Sequence, residues 1–513
     1  MGMMRNGKNI TRVVVALVAL VVLLGSAAQC HAQRQWNVWH FGTGAGLDFN
    51  SGEPVAVQGG AVDQLEGVAS YADPQTGALL FYSDGQHVWT KDHSIMYDGW
   101  DLGGSPSSTQ SALIVPWPGI DSVYFLFTIG QSSVHEGVHY TDYDPTLRCA
   151  VVDLRFDDDD REAENALIEG GKVAVKNVVI AHGLGEKLTA IRHADGCRIW
   201  LLAHGEMDRK FYAWLIDETG IHDPVISDIG SRIGSIGYMK SSPQGDLIAI
   251  ASTPGGGQIF ADAETQLCRF NRITGDLYDP LPLGLSDAYG VAFSPDGGTL
   301  YIEHTADVRD GDTISQFDLS VYEVVTIRAS RVVIASIAND TITYVDNTLY
   351  YGALQLAPDG KIYVARPKLQ AIDVIDNPNE KGASCGYKER AIRFGNGVRV
   401  RLGLPNIIDS DLFAAPPSCK AVENPPPHLL EPPRPSPADE RAEVSFRLGT
   451  ASDVRLTLHD ALGREIRVLM REYVPFTDRT IVPVSTAGLA SGVYYVRLSV
   501  GEWRDVKRVV VRH

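Results

Sequence analysis

Three groups of residues have types that chemistry could use. His135-Glu136-Gly137-Val138-His139 matches the His-Glu-x-x-His pattern of zinc peptidases. On a helix, imidazoles four residues apart sit on one face, about 6 Å along the axis, and share a metal. Here Gly137 interrupts the motif and Tyr140-Thr141-Asp142-Tyr143 follows it, which favours extended chain. On a strand the two rings would lie roughly 13 Å apart, too far for one zinc, so the motif reads as coincidence. His182, His193 and His204 with Glu206 form a second group, but their even spacing has no ligand logic of its own. Asp307, Asp310 and Asp312 form an acidic turn that weakly invites calcium but lacks the order of an EF-hand loop. There is no phosphate-binding loop and no Cys-x-x-Cys pair. The sequence therefore assigns no catalytic residue and no metal ligand.

A recurring hairpin organises the chain around a different candidate site. Gly237-Tyr-Met-Lys-Ser-Ser-Pro-Gln-Gly, Gly290-Val-Ala-Phe-Ser-Pro-Asp-Gly and Gly352-Ala-Leu-Gln-Leu-Ala-Pro-Asp-Gly each lead from one apolar run into another. Proline presets φ near −65° and glycine takes the positive-φ position, so the turn is chemically specified. The same pattern appears at 66–82, 108–127 and 186–202. A seventh unit is available if Gly403–Ile408 joins residues 34–50. Hairpins recurring at roughly 50–60 residues, with the two chain ends closing the ring, predict a seven-bladed β-propeller over 33–413, with six or eight blades as alternatives. No stretch predicts an amphipathic helix, and Asp157–Asp160 reads as a solvated charge run. The residue opening each innermost strand should face the mouth of the central channel. Those residues are Glu66, Gln110, Glu186 or Lys187, Tyr238, Tyr289, Tyr351 and Asn406. Aromatic, amide and carboxylate groups in a ring suit a polar ligand such as a sugar or peptide. The plainer reading is that they satisfy backbone ends and channel water.

Charge and cysteine usage place this body in an export context. The 513 residues carry a formal charge of −18. Residues 438–513 hold 12 Lys/Arg against 10 Asp/Glu, so the acidity belongs to 33–437, with 30 basic and 53 acidic residues. Such a body repels phosphate backbones, which argues against nucleic acid. Residues 1–32 read as a signal peptide: Arg5, Lys8 and Arg12 precede an apolar Val13–Leu24, too short for a comfortable membrane span. Cleavage is expected after Ala32, with Ser26-Ala27-Ala28 as the rival site; Gln29 before Cys30 fits a lipoprotein box badly. No transmembrane span is expected. Export permits disulfides, and Cys385 with Cys419, both near the end of the main body, is the expected pair.

Residues 414–437 are proline-rich and read as a stiff linker, and 438–513 returns to short alternating strands that predict a small antiparallel β-sandwich. Two resemblances arise here. Residues Val444-Ser445-Phe446, His459-Asp460-Ala461-Leu462-Gly463-Arg464-Glu465 and Leu489-Ala490-Ser491-Gly492-Val493-Tyr494-Tyr495 resemble the type A C-terminal sorting domain of the type IX secretion system. Its motif residues here are Gly463, Arg464, Gly492, Val493 and Tyr494; the family's Pro-Asn-Pro opener is Pro433-Arg434-Pro435 instead. That resemblance implies the type IX machinery as partner and delivery outside the cell or onto the outer-membrane surface. Trp39-His40-Phe41-Gly42, Phe81-Tyr82-Ser83-Asp84-Gly85, Ser107–Val115, Glu186–Ile191 and Gly403-Leu404-Pro405-Asn406 look like an uncharacterised propeller family of surface and gliding-associated proteins in Bacteroidota. That family implies a fold and a location but no reaction. The expected function is a non-enzymatic module binding a glycan, peptide or protein without a cofactor. The alternative is a propeller hydrolase or lyase with a metal-assisted site at the channel mouth.

Overall fold

The computed structural model describes residues 33–131, 144–155, 170–206, 208–253, 264–307, 311–337, 351–414, 429–448, 452–474, 477–500 and 503–513. The chain is all-β, and its strands gather into successive antiparallel sheets in sequence order. The first sheet is β1 (Val38–Phe41), β2 (Thr43–Asp48) and β3 (Val55–Asp63). The second is β4 (Ala69–Ala72), β5 (Leu79–Ser83) and β6 (Val88–Thr90). The third holds β7 (Ala112–Pro116), β8 (Val123–Ile129), β9 (Thr146–Asp153) and β10 (Lys172–His182). The fourth holds β11 (Leu184–Arg192), β12 (Ile199–Gly205) and β13 (Lys210–Asp217), edged by β14 (Gly220–Ile221) and β15 (Val225–Asp228). The fifth is β16 (Met239–Ser241), β17 (Leu247–Ile250), β18 (Gln266–Phe270) and β19 (Leu277–Pro282). The sixth is β20 (Ala288–Phe293), β21 (Thr299–Asp307), β22 (Gly311–Asp318) and β23 (Val332–Ser336). The seventh is β24 (Leu354–Leu356), β25 (Ile362–Val364), β26 (Ala371–Ile375) and β27 (Tyr387–Arg393).

In the fourth, sixth and seventh sheets the last strand is the most exposed. Strand β11 is buried throughout, whereas β23 and β27 are mostly exposed. Near-continuous apolar runs such as Val123-Tyr-Phe-Leu-Phe-Thr-Ile suit strands covered on both faces. The first strands are neighbours in order: β1 beside β4, then β7, β11, β16, β20 and β24. The seventh sheet meets the first through Tyr363, whose ring centroid lies 5.6 Å from Trp39 and 5.4 Å from Phe49. Phe394 packs edge-on against Phe41 at 5.9 Å.

Several expectations are revised here. The first sheet is complete without Gly403–Ile408; its backbone link to the late chain is an antiparallel bridge between Thr43 and Arg399. Residues 403–412 instead run, buried, among the first strands, with Pro405 in a parallel bridge to Val68. One short helix, α1 (Val324–Ala329), was not foreseen; Glu323 caps it by accepting from the amides of Val325 and Thr326. Cys385 is a free buried thiol and Cys197 is disulfide-bonded, so the Cys385–Cys419 pair is not formed. Cys385 packs beside Tyr301 in the core, which leaves it no route to a bridge.

Beyond the seventh sheet, β28 (Leu429–Leu430), β29 (Arg441–Leu448) and β32 (Thr477–Ser485) form one sheet. Strands β31 (Glu465–Val474), β30 (Ser452–His459), β33 (Gly492–Val500) and β34 (Trp503–Val511) form another, in that spatial order. Val444, Phe446, Leu456, Leu458, Val496 and Leu498 make a core of their own between them. Among the described residues, no helix is long and apolar enough to cross a membrane.

Candidate functional site

Two close backbone approaches fix where Glu66 stands. Gly67 lies against residues 110–111, where a Cβ would come within 2.0 Å of the Ser111 nitrogen. Gly403 lies against Glu66 itself, where a Cβ would sit 1.8 Å from its carbonyl oxygen. No side chain fits either place, so the chain at 65–68 is gripped between two other segments. Glu66 is 7% exposed. Tyr289 Oη donates to its Oε2 at 3.1 Å and Ser107 Oγ to its Oε1 at 3.4 Å.

A second carboxylate stands close by. Thr109 donates twice to Glu186 Oε2, from its amide and its hydroxyl, both at 3.0 Å. The same hydroxyl accepts from the Gly237 amide at 3.3 Å. Burial, and then the charge of Glu186, push the Glu66 carboxyl up to about 8; the hydroxyls of Tyr289, Thr109 and Ser107 pull weakly the other way. Lys187 follows Glu186 on the strand and so points to the opposite face. Its Nζ donates to the carbonyls of Ile236 and Gly237, the latter at 2.8 Å. Burial lowers it to about 7 against the opposing pull of Glu186. Tyr238 packs edge-on against Tyr289 with ring centroids 5.4 Å apart. The structure thus brings together Glu66, Glu186, Tyr238 and Tyr289, with Lys187 in the wall behind.

Gln110 and Asn406 form a separate layer below. Gln110 Oε1 accepts from the amides of Leu188 (3.1 Å) and Met239 (2.8 Å), and its Nε2 donates to Asn406 Oδ1 at 3.1 Å. Asn406 Nδ2 donates to the Leu188 carbonyl at 2.8 Å. These two amides act as stand-in backbone, tying three sheets to the returning segment. Tyr351 belongs elsewhere: its hydroxyl lies 3.2 Å from Tyr387 Oη, beside Asp373 and under the Arg366 guanidinium.

Sequence reasoning missed the charged groups buried between the sheets and the returning segment. Arg192 donates to both oxygens of Asp411 at 2.6 Å, with both side chains almost wholly buried. Lys240 Nζ donates to Gln355 and lies 3.8 Å from Asp409, whose Oδ1 accepts from Gln355 Nε2 at 2.8 Å. Burial lowers Lys240 and raises Asp409, their mutual attraction opposing both. The signal was available, since Lys240 and Gln355 each stand three residues after the repeat glycine, polar groups in otherwise apolar strands.

The remaining groups do not converge. His182 ends β10 and His193 follows β11; His182 meets Thr146 Oγ1 at 3.0 Å and His193 meets Asp195. His204 packs edge-on against Phe211, and burial with the nearby Lys187 charge lowers it to about 3. Among the described residues, no three His, Cys, Asp or Glu side chains are grouped to hold a metal. Asp312 accepts from Thr305 Oγ1 at 3.2 Å in the hairpin with Asp307. Asp310 and the His135–His139 motif lie outside the described residues.

Fold and site together define an all-β protein whose successive sheets converge on a buried, hydrogen-bonded polar centre. No family model matches the chain, and no curated protein matches it in sequence. Among solved structures, hydrazine synthase of Kuenenia stuttgartiensis aligns over 67% of this chain and 77% of its own, at 11% identity and a TM-score of 0.33. A protein from Lactobacillus plantarum aligns over 72% of this chain and 99% of its own, at 12% identity and a TM-score of 0.38. A functionally unknown protein from Desulfotomaculum acetoxidans aligns over 67% and 96%, at 11% identity and a TM-score of 0.30. Likeness at this level carries no functional argument.

Proposed function

We propose that this is a secreted or cell-surface binding protein: residues 33–413 a seven-bladed β-propeller, 438–513 a sorting domain of the type IX secretion system, and 414–437 the linker. The blade count is supported by seven sheets in sequence order whose first strands are consecutive neighbours, with Tyr363 of the last packed on Trp39 of the first. Stacked meanders around an axis hide most sheet edges, in keeping with first strands such as β1, β4, β11, β16 and β24 that are buried along their whole length.

Binding rather than catalysis is favoured by one observation: the acid pair is fully engaged. Glu66 and Glu186 hold Tyr289, Ser107 and Thr109, and the axis beneath them is filled by residues 403–412. A carboxyl held up to about 8 is neutral at pH 7 and can donate a hydrogen bond. With the half-buried Ser107 and Tyr289 it suits a polar, uncharged ligand, a glycan or peptide, at the mouth. The second reading, a hydrolase or lyase, draws on the same carboxyls, because a raised acid beside another acid is the pairing that general acid–base chemistry uses.

A glycan and peptide array on the mature protein, with metal analysis of the same sample, separates the two. The binding module predicts retained ligand, no stoichiometric metal, and a Glu66→Gln variant that changes affinity alone. Turnover of any array ligand that Glu66→Gln abolishes would establish the enzyme instead. Deleting 438–513 is expected to leave the protein in the periplasm; its normal appearance outside the cell would refute the sorting domain.

A further inference from the structure

A groove of about 670 Å³ lies on the outer face of the C-terminal four-stranded sheet. It is lined by Arg455, Arg471, Arg497 and Arg504, with Glu465 and Glu472 at its rim. The pairing register explains how so many guanidiniums meet. Arg471 stands opposite Arg455, Ser499 is opposite Arg455 on its other side, and Arg504 is opposite Ser499. Directly opposed residues share a face, so one row crosses four strands. Neighbouring strands lie 4.7–4.9 Å apart, which makes the row roughly 14 Å long. Arg497, two residues from Ser499 on β33, adds to the same face.

Packing does not account for this row. The opposite face of the same strands supplies Leu456, Leu458, Val496 and Leu498 to the core. Like charges directly opposed across a ladder are unfavourable. Arg455 has a counter-ion: its Nη2 donates to both oxygens of Glu465 at 2.8 and 2.9 Å. Among the described residues, Arg471, Arg497 and Arg504 are in no ion pair. This concentration of positive charge sits in a chain whose formal charge is −18. A sequence that keeps a local conflict of this kind usually keeps it for a ligand.

We propose that the groove binds an acidic polysaccharide, a linear chain whose carboxylate or phosphate groups step along the arginine row. Guanidinium forks match both oxyanions. Ser499, in the middle of the row, meets the sugar hydroxyls between charges. No Phe, Tyr or Trp lines the groove, and its one imidazole, His459, is buried between Thr457 and the Gly463 carbonyl, so it offers no platform for stacking bases and is not built for single-stranded nucleic acid. The site is independent of the polar centre in 33–413 and survives whether or not that centre binds a ligand.

The test is fluorescence anisotropy on the mature chain with labelled oligogalacturonate, inorganic polyphosphate, a neutral oligosaccharide and single-stranded DNA of matched charge. Oligogalacturonate or polyphosphate is expected to bind, the pair telling carboxylate from phosphate preference, and binding should weaken as salt rises. Arg471→Gln and Arg504→Gln should each weaken it by about tenfold, the loss of one charge-assisted contact. Glu465→Gln should tighten it. Arg471→Gln should also melt no lower than the parent, because it relieves the opposed pair. Absence of binding to both acidic polymers, equal binding of DNA, or an Arg471→Gln variant that loses stability while keeping affinity would each overturn the proposal.

Discussion

A carboxyl buried beside another carboxyl loses more by ionising than it does in an unfolded chain. For Glu66 the folded value is about 8 against an ordinary 4.5. Between those values the folded protein holds a proton that the unfolded chain has released, so stability falls as pH rises across that window. Above about pH 8 the penalty is complete and the slope vanishes. Glu66→Gln keeps the shape and the acceptor for Tyr289 but has no charge to bury. Its stability should match the native protein near pH 4.5 and exceed it at pH 8 by roughly 1–3 kcal/mol. Thermal melts from pH 4.5 to 9 check this, and a parallel pair of curves would refute it. Lys187 contributes the reverse slope: lowered to about 7, it is deprotonated when folded and protonated when unfolded up to about 10.5. Its contribution therefore rises with pH from about 7 upward, and Lys187→Met should remove that rise at the expense of the Ile236 and Gly237 carbonyl contacts.

At the scale of elements, the returning segment 403–412 joins sheets that are far apart in sequence. It bridges Val68, accepts from Gln110, donates to the Leu188 carbonyl and ends in the Arg192–Asp411 pair. Asp411→Ala would leave the Arg192 charge buried and uncompensated, a loss of about 3–5 kcal/mol. Gly403→Ala should also destabilise by more than about 2 kcal/mol, since the new Cβ meets backbone that cannot move aside. Chemical denaturation of both variants measures these losses; a change below 1 kcal/mol in either would show that the segment ties nothing together. The hairpins themselves were legible in the sequence, because Pro243-Gln244-Gly245, Pro295-Asp296-Gly297 and Pro358-Asp359-Gly360 specify turns locally, and strands follow on either side. The role of 403–412 was not, because Leu404, Ile407 and Ile408 look like any strand; that they lie among the first strands rather than beside residues 34–50 depends on partners hundreds of residues away. Helix α1 escaped for the opposite reason, being a single capped turn around one buried residue, Ile327. Of the eight expected mouth residues, Glu66, Glu186, Tyr238 and Tyr289 stand together, Gln110 and Asn406 bond to each other and to backbone, and Tyr351 is drawn off by the Arg366–Asp373 pair in its own sheet.

At the scale of the molecule, the question is whether the C-terminal sandwich and the seven sheets are one cooperative unit. Each has its own core, and among the described residues three polar contacts run between them. Arg447 donates to the Lys176 carbonyl at 2.6 Å, Lys507 reaches the Ile221 carbonyl at 3.5 Å, and Arg508 stands 4.0 Å from Asp223. The last pair is well exposed and adds little. Between the two bodies a cavity of about 110 Å³, lined by Trp214, Ile221, Leu430 and Pro432 among others, is left unfilled. Poor packing and one good hydrogen bond supply on the order of 1–2 kcal/mol of coupling, against cores that each bury many large side chains. Calorimetry should therefore resolve two transitions. The smaller, with an unfolding enthalpy of about 0.7 kcal/mol per residue over the sandwich, should disappear when 429–513 is deleted. The larger should stay within a few degrees of its place, since the seventh sheet packs on the first through Trp39, Phe49 and Tyr363 without help from the C-terminus. Because the charge difference between the bodies lies mostly at their surfaces, added salt should separate the two transitions further. A single transition, or a main transition that collapses on truncation, would mean that the sandwich is a structural part of the larger body rather than a module carried behind it.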